Sequence, residues 1–190
     1  MDSFNKDIEE ALGVLRNGGI ILYPTDTVWG IGCDASNEMA VERIYKLKKR
    51  ESSKNMIILL GDIAVIESYT ATLPDIAYEL LDCVVEPTTI IYDGAKNLAR
   101  NLIPEDNSVA IRVTKERFSQ SLTKRFKKAL VSTSANIAGS TTPATFGQID
   151  KNIIDGVDYV VKYRQDDCTK VKPSAIIKLQ SNGGVEILRK

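Results

Sequence analysis

Histidine is absent from this chain of 190 residues, and the absence removes a large block of chemistry. Without an imidazole there is no Ser–His or Cys–His nucleophile pair and no His-ligated metal centre. Cysteine is scarce. Cys33, Cys83 and Cys168 are odd in number, and neither their spacing nor any nearby ligand suits zinc. Three free thiols and no signal peptide fit a reducing cytosol, so a cytoplasmic protein is expected. No apolar run approaches the ~18 residues of a membrane span, and no membrane partner is expected. Net charge is also missing, with 25 Lys+Arg against 25 Asp+Glu. That argues against a protein held to nucleic acid by bulk charge, though not against a local basic patch. An enzyme of this composition works by positioning and electrostatics.

The length fits one domain on a prior of ~150 residues each. A chain this size buries ~70% of its unfolded surface and needs no disulfide or metal staple. Ile8, Ala11, Leu12 and Leu15 follow helical spacing, stopped by Asn17-Gly18-Gly19. A strand over Ile20 to Tyr23 follows, then a helix with Ser36 as N-cap and Ala40, Ile44 and Leu47 on one face. Met56 to Leu60 reads as a strand covered on both sides. Helices are expected over Asp62 to Tyr69 and Pro74 to Asp82, with Pro74 at a first helical position. Others are expected over Glu116 to Lys128 and Phe146 to Ile154. Thr88 to Tyr92, Ser108 to Val113, Ala129 to Ser132, Asp158 to Tyr163, Ala175 to Leu179 and Val185 to Leu188 read as strands. Ser181-Asn182-Gly183-Gly184 makes the last two a hairpin. No repeat or linker divides the chain. The expected fold is a single α/β domain around a twisted, mixed sheet flanked by helices.

Tyr23-Pro24-Thr25-Asp26-Thr27-Val28-Trp29-Gly30-Ile31-Gly32 ends the first strand in proline and hydroxyls. Pro24 donates nothing to a ladder and fixes its own φ, so Thr25, Asp26 and Thr27 lie at a strand end, where open α/β folds place ligands. Gly30 to Ala35 matches G-x-G-x-x-A, but the dinucleotide fingerprint needs a strand turning directly into a helix, and Pro24 to Trp29 intervenes. No Walker string is present. Lys46, Lys48, Lys49 and Arg50 close the next helix, where cations complement its dipole. They read either as a solvated end or, for Lys48 and Arg50 with Lys54, as phosphate partners. Ser132-Thr133-Ser134-Ala135-Asn136 follows an apolar strand with more small polar groups than turn capping needs. Arg112 ends a strand in a direction the pattern leaves open. Lys124-Arg125-Phe126-Lys127-Lys128 reads as a solvated helix face or an RNA contact.

Together, Tyr23 to Gly32, Lys48-x-Arg50, Ser108 to Arg112 and Ser132 to Asn136 resemble the YrdC-like family, whose best-characterised members are threonylcarbamoyl-AMP synthases of tRNA modification. The resemblance covers nearly the whole chain and implies one such domain across residues 1–190. It also implies a twisted sheet with a concave, positively lined cavity. The implied reaction condenses L-threonine, bicarbonate and ATP to threonylcarbamoyl-adenylate and pyrophosphate. By motif position, Thr27, Ser132, Arg112 and Ser174 would hold threonine. Lys48 would lie between the subsites, and Arg50, Lys54, Ser108, Ser134, Asn136, Thr142 and Arg189 would line the ATP subsite. Lys48 and Arg50 are the catalytic candidates, and Mg²⁺ would accompany ATP, with no metal ligand assigned. A downstream threonylcarbamoyl transferase would be a pathway partner, and contact with tRNA or double-stranded RNA is a further expectation.

Three departures from the family pattern stand out. Glu51 follows Arg50 where proline is usual. Val85-Glu86-Pro87 replaces Pro-Gly-Pro, and Ser174-Ala175-Ile176-Ile177-Lys178 replaces Ser-Thr-[VI]-[VI]-Asp. They leave a second reading, a paralogue that binds nucleotide or RNA without synthase activity. A third, a carbamoyl-adenylate-forming relative of hydrogenase-maturation carbamoyltransferases, fits less well, since those chains are larger.

Overall fold

The helical spacing near the N-terminus becomes α1 (Ser3–Arg16), which buries Ile8, Ala11, Leu12 and Leu15 on one side. The computed structural model describes residues 3–50, 56–169, 172–180 and 183–189. The chain continues through β1 (Ile21–Tyr23), β2 (Gly30–Gly32), α2 (Glu38–Lys48), β3 (Ile57–Leu60), α3 (Ile76–Cys83) and β4 (Thr88–Asp93). It then forms β5 (Ser108–Val113), α4 (Arg117–Phe126), β6 (Leu130–Ser134), α5 (Lys151–Gly156), β7 (Tyr159–Val160), β8 (Ala175–Leu179) and β9 (Val185–Arg189). Among the described residues the strands make one sheet in the order β7-β1-β2-β6-β3-β5-β4-β8-β9. Three neighbouring pairs, β1–β7, β3–β5 and β4–β8, are parallel, and the other five are antiparallel. This is the expected single α/β domain with a mixed sheet.

Several local readings need correction. Gly30–Gly32 is a strand paired with β1 and β6 where none was expected, which agrees with setting the dinucleotide fingerprint aside. The N-cap of α2 is Asn37, whose Oδ1 accepts from the Ala40 amide; Ser36 instead donates to Asp34. Residues Ile63–Ser68 form a 3-10 helix capped by Asp62. Pro74 lies two residues ahead of α3, with Asp75 as its cap. The stretch read as one helix from Phe146 breaks into a 3-10 turn over Phe146–Gln148 and α5, because Asp150 starts a new helix by accepting from the Asn152 amide. Of Asp158 to Tyr163 only two residues pair as a strand. Ser181 and Asn182 of the expected hairpin lie outside the described residues, but β8 and β9 are antiparallel as that reading requires.

The registers decide which side chains share a face. Ser132 lies opposite Ile57, and Leu59, two residues along the same strand, lies opposite Arg112. Arg112 lies opposite Thr89, Thr89 opposite Ile176, and Ile176 opposite Arg189. Strand side chains alternate with a period of two. Ser132, Ser134, Ile57, Arg112, Thr89, Ile176 and Arg189 therefore share one face although they are spread from residue 57 to residue 189 of the chain.

Close strand packing depends on Gly32. A Cβ there would stand 2.5 Å from the Val131 carbonyl oxygen and 2.7 Å from the Tyr23 ring, whereas one at Gly13 in α1 would meet nothing within 4 Å. Gly32→Ala is expected to cost about 1–3 kcal/mol as overpacking, and Gly13→Ala to gain about 1 kcal/mol from helix propensity. Thermal denaturation that ranks the two variants in the opposite order would contradict this packing.

Candidate active site

A cavity of about 270 Å³ opens on the shared polar face. Of the twelve side chains expected at a site, eight line it: Thr27, Arg50, Arg112, Ser132, Ser134, Thr142, Ser174 and Arg189. They arrive from the β1–β2 loop, the end of α2, β5, β6, the loop after β6, and the β8–β9 hairpin.

Arg112 is the buried centre of this wall. Its Nε lies 3.1 Å from Asp26 Oδ1, and the two side chains are 6% and 11% exposed. Burial pushes the Asp26 carboxyl above the usual carboxylate range, and the Arg112 charge opposes that shift. Arg112 Nη2 also donates to Thr25 Oγ1 at 3.4 Å. The Thr25 hydroxyl donates to the Val28 carbonyl at 2.7 Å and accepts from the Thr27 amide at 3.1 Å. Its proton is thereby used, so in its 3.1 Å contact with Thr27 Oγ1 it acts as acceptor. Thr27 then donates its own proton inward and keeps both lone pairs for the cavity. An ammonium or amine is the complementary ligand. Trp29 closes this corner, its ring 4.9 Å from that of Phe146 at 54°.

A second polar cluster stands at the far wall. Arg189 Nε donates to the Ser174 carbonyl at 2.9 Å, and Nη2 reaches Ser174 Oγ at 3.5 Å. Ser174 Oγ is 2.8 Å from Thr89 Oγ1. The altered Ser174-Ala175-Ile176-Ile177-Lys178 string thus still delivers Ser174 to the cavity. Trp29 and Thr89 were not expected as site residues. Thr25 was placed at a ligand-binding strand end but was given no role of its own. Thr89 is visible only through its register with Arg112 and Ile176.

Other expected residues lie behind or beyond the wall. Lys48 is 1% exposed and does not line the cavity. Its Nζ donates to the Ser134 carbonyl and, at 2.6 Å, to the Asn136 carbonyl. Lys48 therefore ties the end of α2 to the loop after β6. Burial, reinforced by the Arg50 charge, pulls its pKa down to about 7. Burial also lowers that of Arg50. Asn136 Nδ2 donates to the Ile137 and Ser140 carbonyls, which shapes the loop that carries Thr142. Ser108 occupies the same sheet face as Arg112 but four residues along β5, about 13 Å away by strand rise. Lys54 and Glu51 lie outside the described residues. The basic run on α4 is largely paired: Lys124 with Asp62, Arg125 with Glu9, and Lys128 with Asp34. That is the solvated helix face rather than a bare cationic patch. Among the described residues no group of three Cys, Asp or Glu side chains could hold a metal ion. No helix there is long and apolar enough to cross a membrane.

The chain belongs to the Sua5/YciO/YrdC family, whose model, described as "Telomere recombination", matches residues 13–190. It is 35% identical over 174 residues to a relative from Methanocaldococcus jannaschii, covering 91% of this chain and 80% of the relative. It is 33% identical over 158 residues to a protein of Idiomarina loihiensis named threonylcarbamoyl-AMP synthase, covering 82% of this chain and 85% of that one. The fold matches that of P. abyssi Sua5 crystallised in complex with L-threonine, with a TM-score of 0.84 and 23% identity over 96% of this chain. The chain spans 53% of that Sua5 chain.

The Lys48 geometry has a pH signature. With its folded pKa near 7 and an unfolded value near 10.5, the folded state bears the full cost of the buried charge below about pH 7. Between those values the unfolded chain binds more protons, so this group makes stability rise with pH. In Lys48→Met that contribution is gone. Urea denaturation at pH 7, 8 and 9 should show the difference in stability, wild type minus variant, rising with pH. A flat or falling difference contradicts the burial of an ionisable amine here.

Proposed function

We propose that this protein is a threonylcarbamoyl-AMP synthase, a nucleotidyl-transferring enzyme that condenses L-threonine, bicarbonate and ATP with release of pyrophosphate. The observation that carries the reading is one cavity lined both by the Thr27 hydroxyl, whose lone pairs are free, and by guanidinium groups at Arg50 and Arg189. It is supported by relatives of that name that this chain matches over most of its length.

The chemistry suits a protein without histidine. Threonine's neutral amine adds to carbon dioxide and loses a proton, or condenses with bicarbonate with loss of water, and an oxygen of the resulting carbamate attacks the α-phosphorus of ATP as pyrophosphate leaves. The nucleophile belongs to the substrate, so the protein aligns reactants and stabilises phosphate charge. In our reading Thr27 accepts from the amine, and Ser132, Ser174 and Arg112 complete the amino-acid subsite. Arg50, with Ser134, Thr142 and Arg189, faces the phosphates, where its planar fork matches paired oxygens. Lys48 holds the Ser134–Asn136 backbone against α2, and its charge adds to the field of Arg50. Among the described residues no carboxylate lines the cavity, and Asp26, in the loop beside it, is committed to Arg112. The described residues thus offer Mg²⁺ no cage of their own, and we assign no protein ligand to it. The paired cations of α4 favour the synthase over an RNA-binding paralogue, whose affinity would depend on unneutralised charge.

The test is conversion of labelled bicarbonate to an acid-labile adenylate, with pyrophosphate release that requires both ATP and threonine. Thr27→Val keeps the shape but loses the hydroxyl. It should lower kcat/KM for threonine about 10- to 100-fold, the loss of one hydrogen bond to a charged group. Arg112→Lys keeps a cation beside Asp26 but loses the fork, and should be similarly impaired while remaining folded. Threonine-independent pyrophosphate release, or near-normal turnover in both variants, would overturn the assignment.

A further inference from the structure

The connection between β7 and β8 runs from the first to the eighth strand of the sheet, crossing seven strand spacings, about 34 Å at ~4.8 Å each. Its described residues reach the site twice. Pro173 and Ser174 line the main cavity. Arg164, Asp167 and Thr169 meet Thr25, Thr27 and Trp29 around an adjoining space of about 10 Å³, barely enough for one water.

Arg164 is the fastening point. Its φ of 65° lies in the left-handed region, which costs a non-glycine residue energy and persists when the surroundings hold it there. Its side chain makes contacts in three directions. Nε and Nη2 donate to Asp167 Oδ2 at 2.9 and 2.7 Å, within its own turn. Nη1 lies 3.6 Å from Glu116 Oε1, on the residue that caps α4 by accepting from the Phe118 and Ser119 amides. The same Nη1 donates to the Thr25 carbonyl at 3.4 Å. A guanidinium with five donors in a fixed fork can serve three segments at once, which an ammonium on a flexible stem does poorly. Thr25 is thus gripped from two sides, by Arg112 on its hydroxyl and by Arg164 on its carbonyl.

We propose that Arg164 is a positioning residue for the amino-acid subsite: by fixing the Thr25 peptide it holds the Thr25 hydroxyl that orients Thr27, so that the Thr27 hydroxyl accepts from the substrate amine. The proposal rests on the reading of the cavity as a threonine site. It differs from a general bracing role because, acting through Thr25, it bears on the subsite of only one of the two substrates. Phosphate-facing Arg50 and Arg189 lie on other segments, past the end of α2 and on β9.

The experiment compares the full chain with Arg164→Ala and Arg164→Lys by steady-state kinetics and by the fluorescence of Trp29, the single tryptophan of the chain. Arg164→Ala should raise the KM for threonine about tenfold and leave that for ATP within twofold. Arg164→Lys should recover part of the loss, since one donor to the Thr25 carbonyl remains. Threonine titrated against Trp29 emission should show the same weakening. An unchanged KM for threonine, or equal rises for both substrates, would overturn the proposal. Amide hydrogen exchange over Thr25–Val28, measured without substrate, separates the two hypotheses. If the wild type shows no threonine-dependent turnover, the synthase reading fails, yet faster exchange in Arg164→Ala upholds the Arg164 clamp. Unchanged exchange sinks the clamp whatever the activity. Should the alanine variant fail to fold, Arg164→Lys carries the same comparisons.

Discussion

A guanidinium buried in the middle of a sheet is the constraint around which this molecule is arranged. Arg112 needs a counter-charge and directed acceptors, because an unpaired buried cation costs several kcal/mol. Asp26 supplies the charge and Thr25 an acceptor, and both belong to the loop that Pro24 forces out of β1. Once that loop is folded over Arg112, its remaining hydroxyl, on Thr27, faces the cavity with lone pairs to spare. The polar lining of the sheet face therefore follows from the partners one buried arginine requires.

The same economy extends outward. Lys48 gives up its place at the cavity wall to bind two carbonyls of the loop after β6, which leaves Arg50 as the cation at the wall from that helix. Arg189 and Ser174 brace each other across the β8–β9 hairpin. Cations that would be expected to contact phosphate directly are thus divided between holding backbone and meeting ligand. Preorganisation of this kind suits an enzyme whose substrate brings its own nucleophile.

Much of this was legible in the residues. The Pro24-to-Gly32 string, the hydroxyl block at Ser132 and the cationic end of α2 all mark the cavity, because strand ends and small polar runs have few other uses. The helix of α1 and the buried run at β3 were plain from periodicity. What stayed hidden depended on pairing partners distant in sequence. Gly30–Gly32 is too short and too poor in side chains to announce itself as a strand. Thr89 joins the site only by its register with Arg112, and the direction of Arg112 is set by that register too. Lys48 read as a solvated helix-end cation or a phosphate partner, because nothing local reveals the carbonyls 86 and 88 residues away that take it in. The Phe146-to-Ile154 helix failed for a local reason, a second N-cap at Asp150 that competes with continuation.

On the reading proposed above, segments from both halves of the chain form one amino-acid subsite. The sharpest check is the map of backbone amide shifts as L-threonine is added to the labelled protein. Saturable shifts are expected at Thr25–Gly30, Arg112, Ser132–Ser134 and Ser174 together, with one shared affinity. Shifts confined to one of these segments, or clustered on the α4 surface instead, would contradict that reading.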